Sequence, residues 1–133
     1  HDISPEENQY EAGLNFTISN KKNINFIGKK ALNKINQEKL AKKFTMFSLK
    51  KSKPGYPLLL HDEPIYLDDK IIGRTTSGNY SFNYKKNLSF GYINSNYSQE
   101  DLVKKKLYIE VEKEKHPDII ETKLLKSNKY KLL

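Results

Sequence analysis

From Phe44 onward, apolar and polar residues alternate in short bursts separated by turn formers. "KFTMFSLK" alternates, "NLSFGYIN" reads as another strand, and Leu107, Ile109 and Val111 alternate with Tyr108, Glu110 and Glu112. Period two puts every second side chain on one face, so each burst reads as a strand with one buried side. "PIYL" and "KIIGRTT" are two apolar runs joined by Asp68-Asp69-Lys70. A short acidic connection between such runs is a hairpin signal. "KSKPGYP" reads as a loop turning at Pro54-Gly55, and "HPDIIETKLL" as a last strand begun at Pro117. Ser98, three residues before Asp101, has the spacing of a helix-opening cap with an acidic group in the first turn. Strands at intervals of roughly 8–15 residues, with turns between them, predict an antiparallel barrel or sandwich.

The first forty residues have another texture. Residues 1 to 10 are polar, contain Pro5 and predict an irregular lead-in. Ala12, Leu14, Phe16 and Ile18 in "EAGLNFTI" are spaced by two, which predicts a strand. "SNKKN" then supplies turn formers, and "INFIG" is a short apolar run closed by Gly28. Lys29 to Lys43 predicts a helix on the surface: Ala31, Leu32 and Ile35 fall at i, i+1 and i+4, with Leu40 further on, and the stripe is thin. The change of texture puts a seam near Lys42 and predicts two units, 1–42 and 43–133.

Composition narrows the class. The 133 residues suffice for one ordinary domain. A net charge of +8 invites a nucleic-acid reading. Against it, Arg74 is the sole arginine, and the planar fork that reads base edges and phosphates belongs to arginine. Lysine runs such as Lys104-Lys105-Lys106 read as solvated faces, so no nucleic-acid partner is expected. With no cysteine, disulfides and thiolate zinc sites are excluded. No apolar run nears the ~20 residues of a membrane span, so the expectation is a cytoplasmic protein without a membrane partner. The chain opens on "HDISPEENQY" in mid-phrase and is expected to be a fragment of something longer or a processed product.

Candidate chemistry is sparse. His1, His61 and His116 stand apart, and His61, Asp62 and Glu63 would diverge on an extended chain, so no metal site is expected. No serine sits in a G-x-S-x-G elbow, and "IGRTTSGNYS" lacks the spacing of a phosphate loop. On the residues alone, that stretch is a strand ending in a tight turn, with Gly78 supplying positive φ. Glu11 is either a hydrogen-bonding carboxylate for a ligand's amidine-like edge or a surface strand residue. Phe16 is either core or a flat face for an aromatic ligand.

Four collinear pieces carry a resemblance. "YEAGLNFTI…INFIGKKAL" resembles the E-A-G-L-x-[FW]…D-F-I-G-K-x-A-L signature of the aminomethyltransferase family. This family includes the glycine cleavage T-protein and the folate-binding portions of dimethylglycine and sarcosine dehydrogenases. "DEPIYLDDKIIGRTTSGNYS" resembles its second signature, "NLSFGYI" its S-I-A-L-G-Y-V strand, and "HPDIIETKLL" its closing strand. The D-E-P-I-Y form and Phe16, where T-proteins often carry tryptophan, lean toward the dehydrogenase branch. Asp69 departs from the family's hairpin glycine, and Phe82-Asn83-Tyr84 from its small-residue turn.

The resemblance implies a mainly β chain: a C-terminal antiparallel β-barrel (43–133), preceded by a strand and a surface helix from the tail of an α+β folate-binding domain (1–42). It implies tetrahydrofolate as cofactor, one-carbon transfer from an amine, and possible FAD in an upstream domain. The partner would be folate together with the upstream part of the same enzyme or a partner subunit. The family's catalytic aspartate and principal pterin-binding groups lie upstream of the residues matched here. No catalytic residue carries over, and the chain alone is expected to be inactive. The positions that carry over as cofactor-binding are Glu11, Phe16, Thr76, Ser77, Gly78 and Tyr80.

Overall fold

The computed structural model describes residues 2–19, 23–35 and 39–120. Six strands close into an antiparallel barrel: β1 (Lys42–Leu49), β2 (Pro64–Leu67), β3 (Lys70–Ser81), β4 (Lys86–Asn94), β5 (Leu107–Val111) and β6 (Glu114–Ile120), in the order β1-β4-β3-β2-β5-β6. Closure follows from the alternation. Phe47 and Leu49 on β1, Ile65 and Leu67 on β2, Ile72 on β3, Ile93 on β4, and Leu107, Ile109 and Val111 on β5 form one buried cluster. Each such side chain withdrawn from water contributes about 1.5–3 kcal/mol.

Strand β4 shows how the interior is fitted. Asn87, Ser89, Gly91 and Ile93 are buried, while Leu88, Phe90 and Tyr92 between them are partly exposed. Small residues on this strand leave room for Phe47, which is 0% exposed. The buried polar groups of β4 are satisfied: Ser89 Oγ donates to the Ser77 carbonyl at 2.9 Å, and Asn87 Nδ2 to that of Pro57 at 2.6 Å. The second bond fastens the loop between β1 and β2 across the barrel, with Leu59 buried beneath it.

The Asp68-Asp69 connection forms the expected hairpin, with Asp68 at φ 54°. Ser98 opens α2 (Gln99–Lys104) with a complete capping box: its Oγ accepts from the Asp101 N–H, and the Asp101 carboxylate accepts from the Ser98 N–H. The final strand begins at Glu114, before Pro117, and the part of "HPDIIETKLL" beyond Ile120 lies outside the described residues.

Three local expectations are corrected. "EAGLNFTI" is not a strand: it is a run of turns leading to a single 3₁₀ turn at Asn15–Thr17. The Lys29–Lys43 helix is one turn, α1 (Lys29–Leu32), and Lys42 and Lys43 already belong to β1; residues 36–38 lie outside the described set. A thin apolar stripe gives too little burial to extend a helix past its costly first turn. Third, Gly78 does not end a strand. β3 runs through it to Ser81, its φ is not positive, and a Cβ there would collide with the Leu59 side chain. This glycine serves close packing.

Candidate functional site

Thr76, Ser77 and Glu11 lie where the lead-in crosses the outer face of β3, β4 and β1. On that face Phe44 stacks on Phe90 (centroids 5.3 Å apart, planes at 7°) and leans on Tyr92 at 5.1 Å. Such pairs contribute beyond their buried area.

A β-bulge between Thr75 and Ser77 sets the local chemistry. Register pairs Thr75 with Gly91 and Ser77 with Phe90. Thr75 is therefore buried at 1% exposure, and its hydroxyl bonds with Glu63. Thr76 is the extra residue. Its hydroxyl and that of Ser77 both donate to Oδ1 of Asp2, at 2.6 and 2.8 Å. Without a bulge, neighbouring strand residues point to opposite faces. Tyr92 completes the clasp by donating from its hydroxyl to the Asp2 carbonyl at 3.0 Å.

Further along, the lead-in is held by two reciprocal turns. The Glu7 carboxylate accepts from the Ser4 N–H at 2.8 Å and Oγ at 2.6 Å. The Glu11 carboxylate accepts from the Asn8 N–H at 3.2 Å, while Asn8 Oδ1 accepts from the N–H groups of Tyr10 and Glu11 at 3.0 Å each. These are S-x-x-E and N-x-x-E boxes, a signal readable in "SPEENQYE" that explains why these residues turn. Glu7 also pairs with Lys42 at 2.5 Å, and the Glu11 carbonyl accepts from the Phe44 N–H at 2.8 Å.

Electrostatics follow this geometry. The hydrogen bond from Lys42, then that from Ser4, lowers the Glu7 carboxyl to about 2. Burial first, then the negative charges of Glu7, Glu11 and Asp2, pushes the Tyr92 phenol up to about 12. Lys42 also sits 5.0 Å above the Tyr92 ring.

The sequence-derived positions thus divide. Thr76 and Ser77 share the Asp2 carboxylate, and Ser77, Gly78 and Tyr80 line a shallow groove of about 300 Å³ with Leu88 and Phe90. Tyr80 packs edge-on against Phe82, with centroids 5.2 Å apart. Glu11 is buried within its own turn, with its charge felt at Tyr92. Phe16 stands apart from this groove, 79% exposed on the 3₁₀ turn. It is thus an open aromatic face and not core. Asp2, Glu7, Lys42 and Tyr92 were not singled out in the sequence. Of these, only Glu7 carries a local signal, the S-x-x-E spacing from Ser4. Among the described residues, no three His, Asp or Glu side chains group as a metal site, and no helix is long and apolar enough to cross a membrane.

This closed barrel, with its outward aromatic face and strapped lead-in, corresponds to a known class. Residues 42–125 match the family described as the glycine cleavage T-protein C-terminal barrel domain, and the chain belongs to that family. Its relatives include an aminomethyltransferase of Listeria welshimeri, 36% identical over 98 residues, covering 74% of this chain and 26% of that protein. Human mitochondrial dimethylglycine dehydrogenase is 32% identical over 92 residues, covering 69% of this chain and 10% of that protein. Among solved structures, the glycine cleavage system aminomethyltransferase T of Bartonella henselae superposes with a TM-score of 0.72 at 18% identity, covering 91% of this chain and 32% of that one. The chain thus spans about a quarter of the aminomethyltransferase relative and a tenth of the dehydrogenase.

Proposed function

We propose that this chain is the barrel-bearing part of a tetrahydrofolate-dependent enzyme that moves a one-carbon unit from a glycine-, dimethylglycine- or sarcosine-type amine. The observation that carries this reading is the family match over residues 42–125, with relatives named for such enzymes. When bound, tetrahydrofolate supplies the nitrogen nucleophile that accepts the carbon.

The residues here suit a wall, not a reaction centre. Phe16 offers an uncovered flat face, and the groove beside Ser77, Gly78 and Tyr80 offers a hydroxyl next to aromatic rings. This mixture of apolar lining and a few polar groups is typical of a ligand-contacting surface. Glu11 is committed to its turn, and Thr76 and Ser77 hold Asp2, so their part in this reading is to fix the wall. No carboxylate in this reading is aimed at a reacting centre, so the chain is not catalytic alone. Its contribution is positional. A flavin belongs to the reading only in the dehydrogenase branch.

Titration of the polypeptide, as its gene encodes it, with tetrahydrofolate tests the proposal. Saturable binding weakened by Phe16→Ala or Tyr80→Ala is expected. Absence of binding in the gene's full product would overturn it. A non-catalytic module that completes a partner subunit is the second reading, favoured by the short span relative to the relatives. It predicts co-purification with a folate-binding chain.

A further inference from the structure

Leu58 and Leu60 are 59% and 61% exposed, while Leu59 between them is 3% exposed and belongs to the barrel's core. Exposed leucines on a surface loop are ordinary. This pair is fixed at both ends. Before it, the Pro57 carbonyl accepts from Asn87 Nδ2 at 2.6 Å. After it, Glu63 and Thr75 close on each other. The Leu60 N–H donates to Glu63 Oε1 at 2.7 Å. The Thr75 hydroxyl donates to Glu63 Oε2 and accepts from the Glu63 N–H at 2.9 Å. The backbone repeats the join: the Asp62 N–H donates to the Thr75 carbonyl and the Thr75 N–H to that of Glu63, each at 2.9 Å. Arg74 Nη1 donates to the Asp62 carbonyl at 3.1 Å.

Both carboxylate oxygens of Glu63 are thus taken by donors of this frame, one of them from buried Thr75. Ordering a loop costs conformational entropy, and exposed leucines do nothing to offset it. A surface ordered before its ligand arrives is preorganised, so that cost is not met at binding. Location narrows the ligand. Leu59 packs where a Cβ of Gly78 would stand, so Leu58 and Leu60 border the groove lined by Ser77, Gly78 and Tyr80. The rim they make is apolar and uncharged. It suits a flat aryl group, not a carboxylate.

We propose that Glu63 is a positioning residue. Through Thr75 and the Leu60 amide it holds Leu58 and Leu60 as the apolar rim of this groove, against which the aryl ring of tetrahydrofolate rests. The inference rests on the proposed function and deepens it: recognition of the aryl group is separated from that of the pterin head, for which these leucines supply no polar group. Glu63 touches no reacting atom and acts through the two leucines.

The test titrates the gene's full product with tetrahydrofolate and, separately, with tetrahydropterin, which keeps the reduced pterin and lacks the aryl group. The unsubstituted protein is expected to bind tetrahydrofolate more tightly. Glu63→Ala and Leu60→Ala should each weaken tetrahydrofolate about tenfold, the effect of one leucine contact, and leave the affinity for tetrahydropterin unchanged. Glu63→Gln, which keeps an acceptor for the Leu60 N–H, should recover part of the loss. Hydrogen exchange at the Leu60 amide should quicken in Glu63→Ala, and unchanged exchange there overturns the role of Glu63. Leu60 is exposed, so Leu60→Ala decides the matter even where Glu63→Ala fails to fold. Ile71→Ala, at 56% exposure on β3, should change neither affinity. Tetrahydrofolate binding indifferent to the substitutions, or an equal loss for both ligands, overturns the inference and leaves the proposed function standing. A full product that binds neither ligand counts against the proposed function itself, and the rim falls with it.

Discussion

Between Lys42 and Ile120 the inward side chains are Phe47, Leu49, Ile65, Leu67, Ile72, Ile93, Leu107, Ile109 and Val111, all buried. Among the described residues from Asp2 to Ile35, Glu11 and Ala12 alone are buried, and one of the two is a carboxylate. The barrel is held by area withdrawn from water. The lead-in is held by charge and hydrogen bonds at a few points. Burial of area is cooperative and insensitive to pH, whereas the point contacts can be released one at a time. The family match covers residues 42–125, the region held by buried area.

The largest contrast is between two phenylalanines. Phe47→Ala, at a fully buried position, should cost about 3–5 kcal/mol in urea unfolding. Phe16→Ala, at 79% exposure, should stay within about 0.5 kcal/mol. Equal losses would show that the lead-in shares the barrel's core.

Next in size is Gly78→Ala. Its methyl group meets Leu59, so overpacking should cost about 1–3 kcal/mol even though the residue belongs to the family-like "TSG" stretch. A neutral result would mean that the loop carrying Leu59 yields freely.

A smaller and local effect is expected from Thr76→Val with Ser77→Ala. Removing both donors to Asp2 should leave the barrel's midpoint nearly unchanged while speeding hydrogen exchange at the Phe44 amide, which the Glu11 carbonyl protects. Exchange unchanged there would dissociate the clasp from the rest of the lead-in.

The mildest perturbation is pH, read at the same amide. The Glu7 carboxyl is lowered from 4.5 to about 2 in the folded state. Its contribution is therefore present above 4.5 and lost as pH falls toward 2. The Tyr92 phenol is raised from 10.0 to about 12, so the neutral form is the one that docks. That contribution is complete below 10 and lost as pH rises toward 12. Tyr92→Phe should abolish the alkaline limb and spare the acid one.

Legibility in the sequence followed the same division. The barrel strands could be read because alternation marks a strand, although on β4 the face carrying Leu88, Phe90 and Tyr92 is the partly exposed one and Asn87, Ser89 and Gly91 lie inside. Ala12, Leu14, Phe16 and Ile18 display the same spacing and mislead. The Asn8–Glu11 box and Gly13, at φ 70°, turn the backbone before any strand can pair, and the Ala12 N–H donates to the Asn8 carbonyl. Local hydrogen bonding competed with periodicity and won. Gly78 was misplaced for a different reason: its constraint is the Leu59 side chain from a distant loop, which no local pattern encodes. The Asp2 clasp was equally hidden. It joins residues more than seventy positions apart, through a bulge that the pattern of apolar positions does not announce.

One further consequence lies in the pairing of β1. Among the described residues, β6 pairs with it at 47–49, while β4 borders it over 42–48 on the other side. At Phe44, the backbone N–H is met by the Glu11 carbonyl. Lifting the lead-in would bare the Phe44 amide next to stacked aromatic rings, the kind of margin along which separate molecules zip together into aggregates. The strap thus also guards the barrel's solubility at this margin.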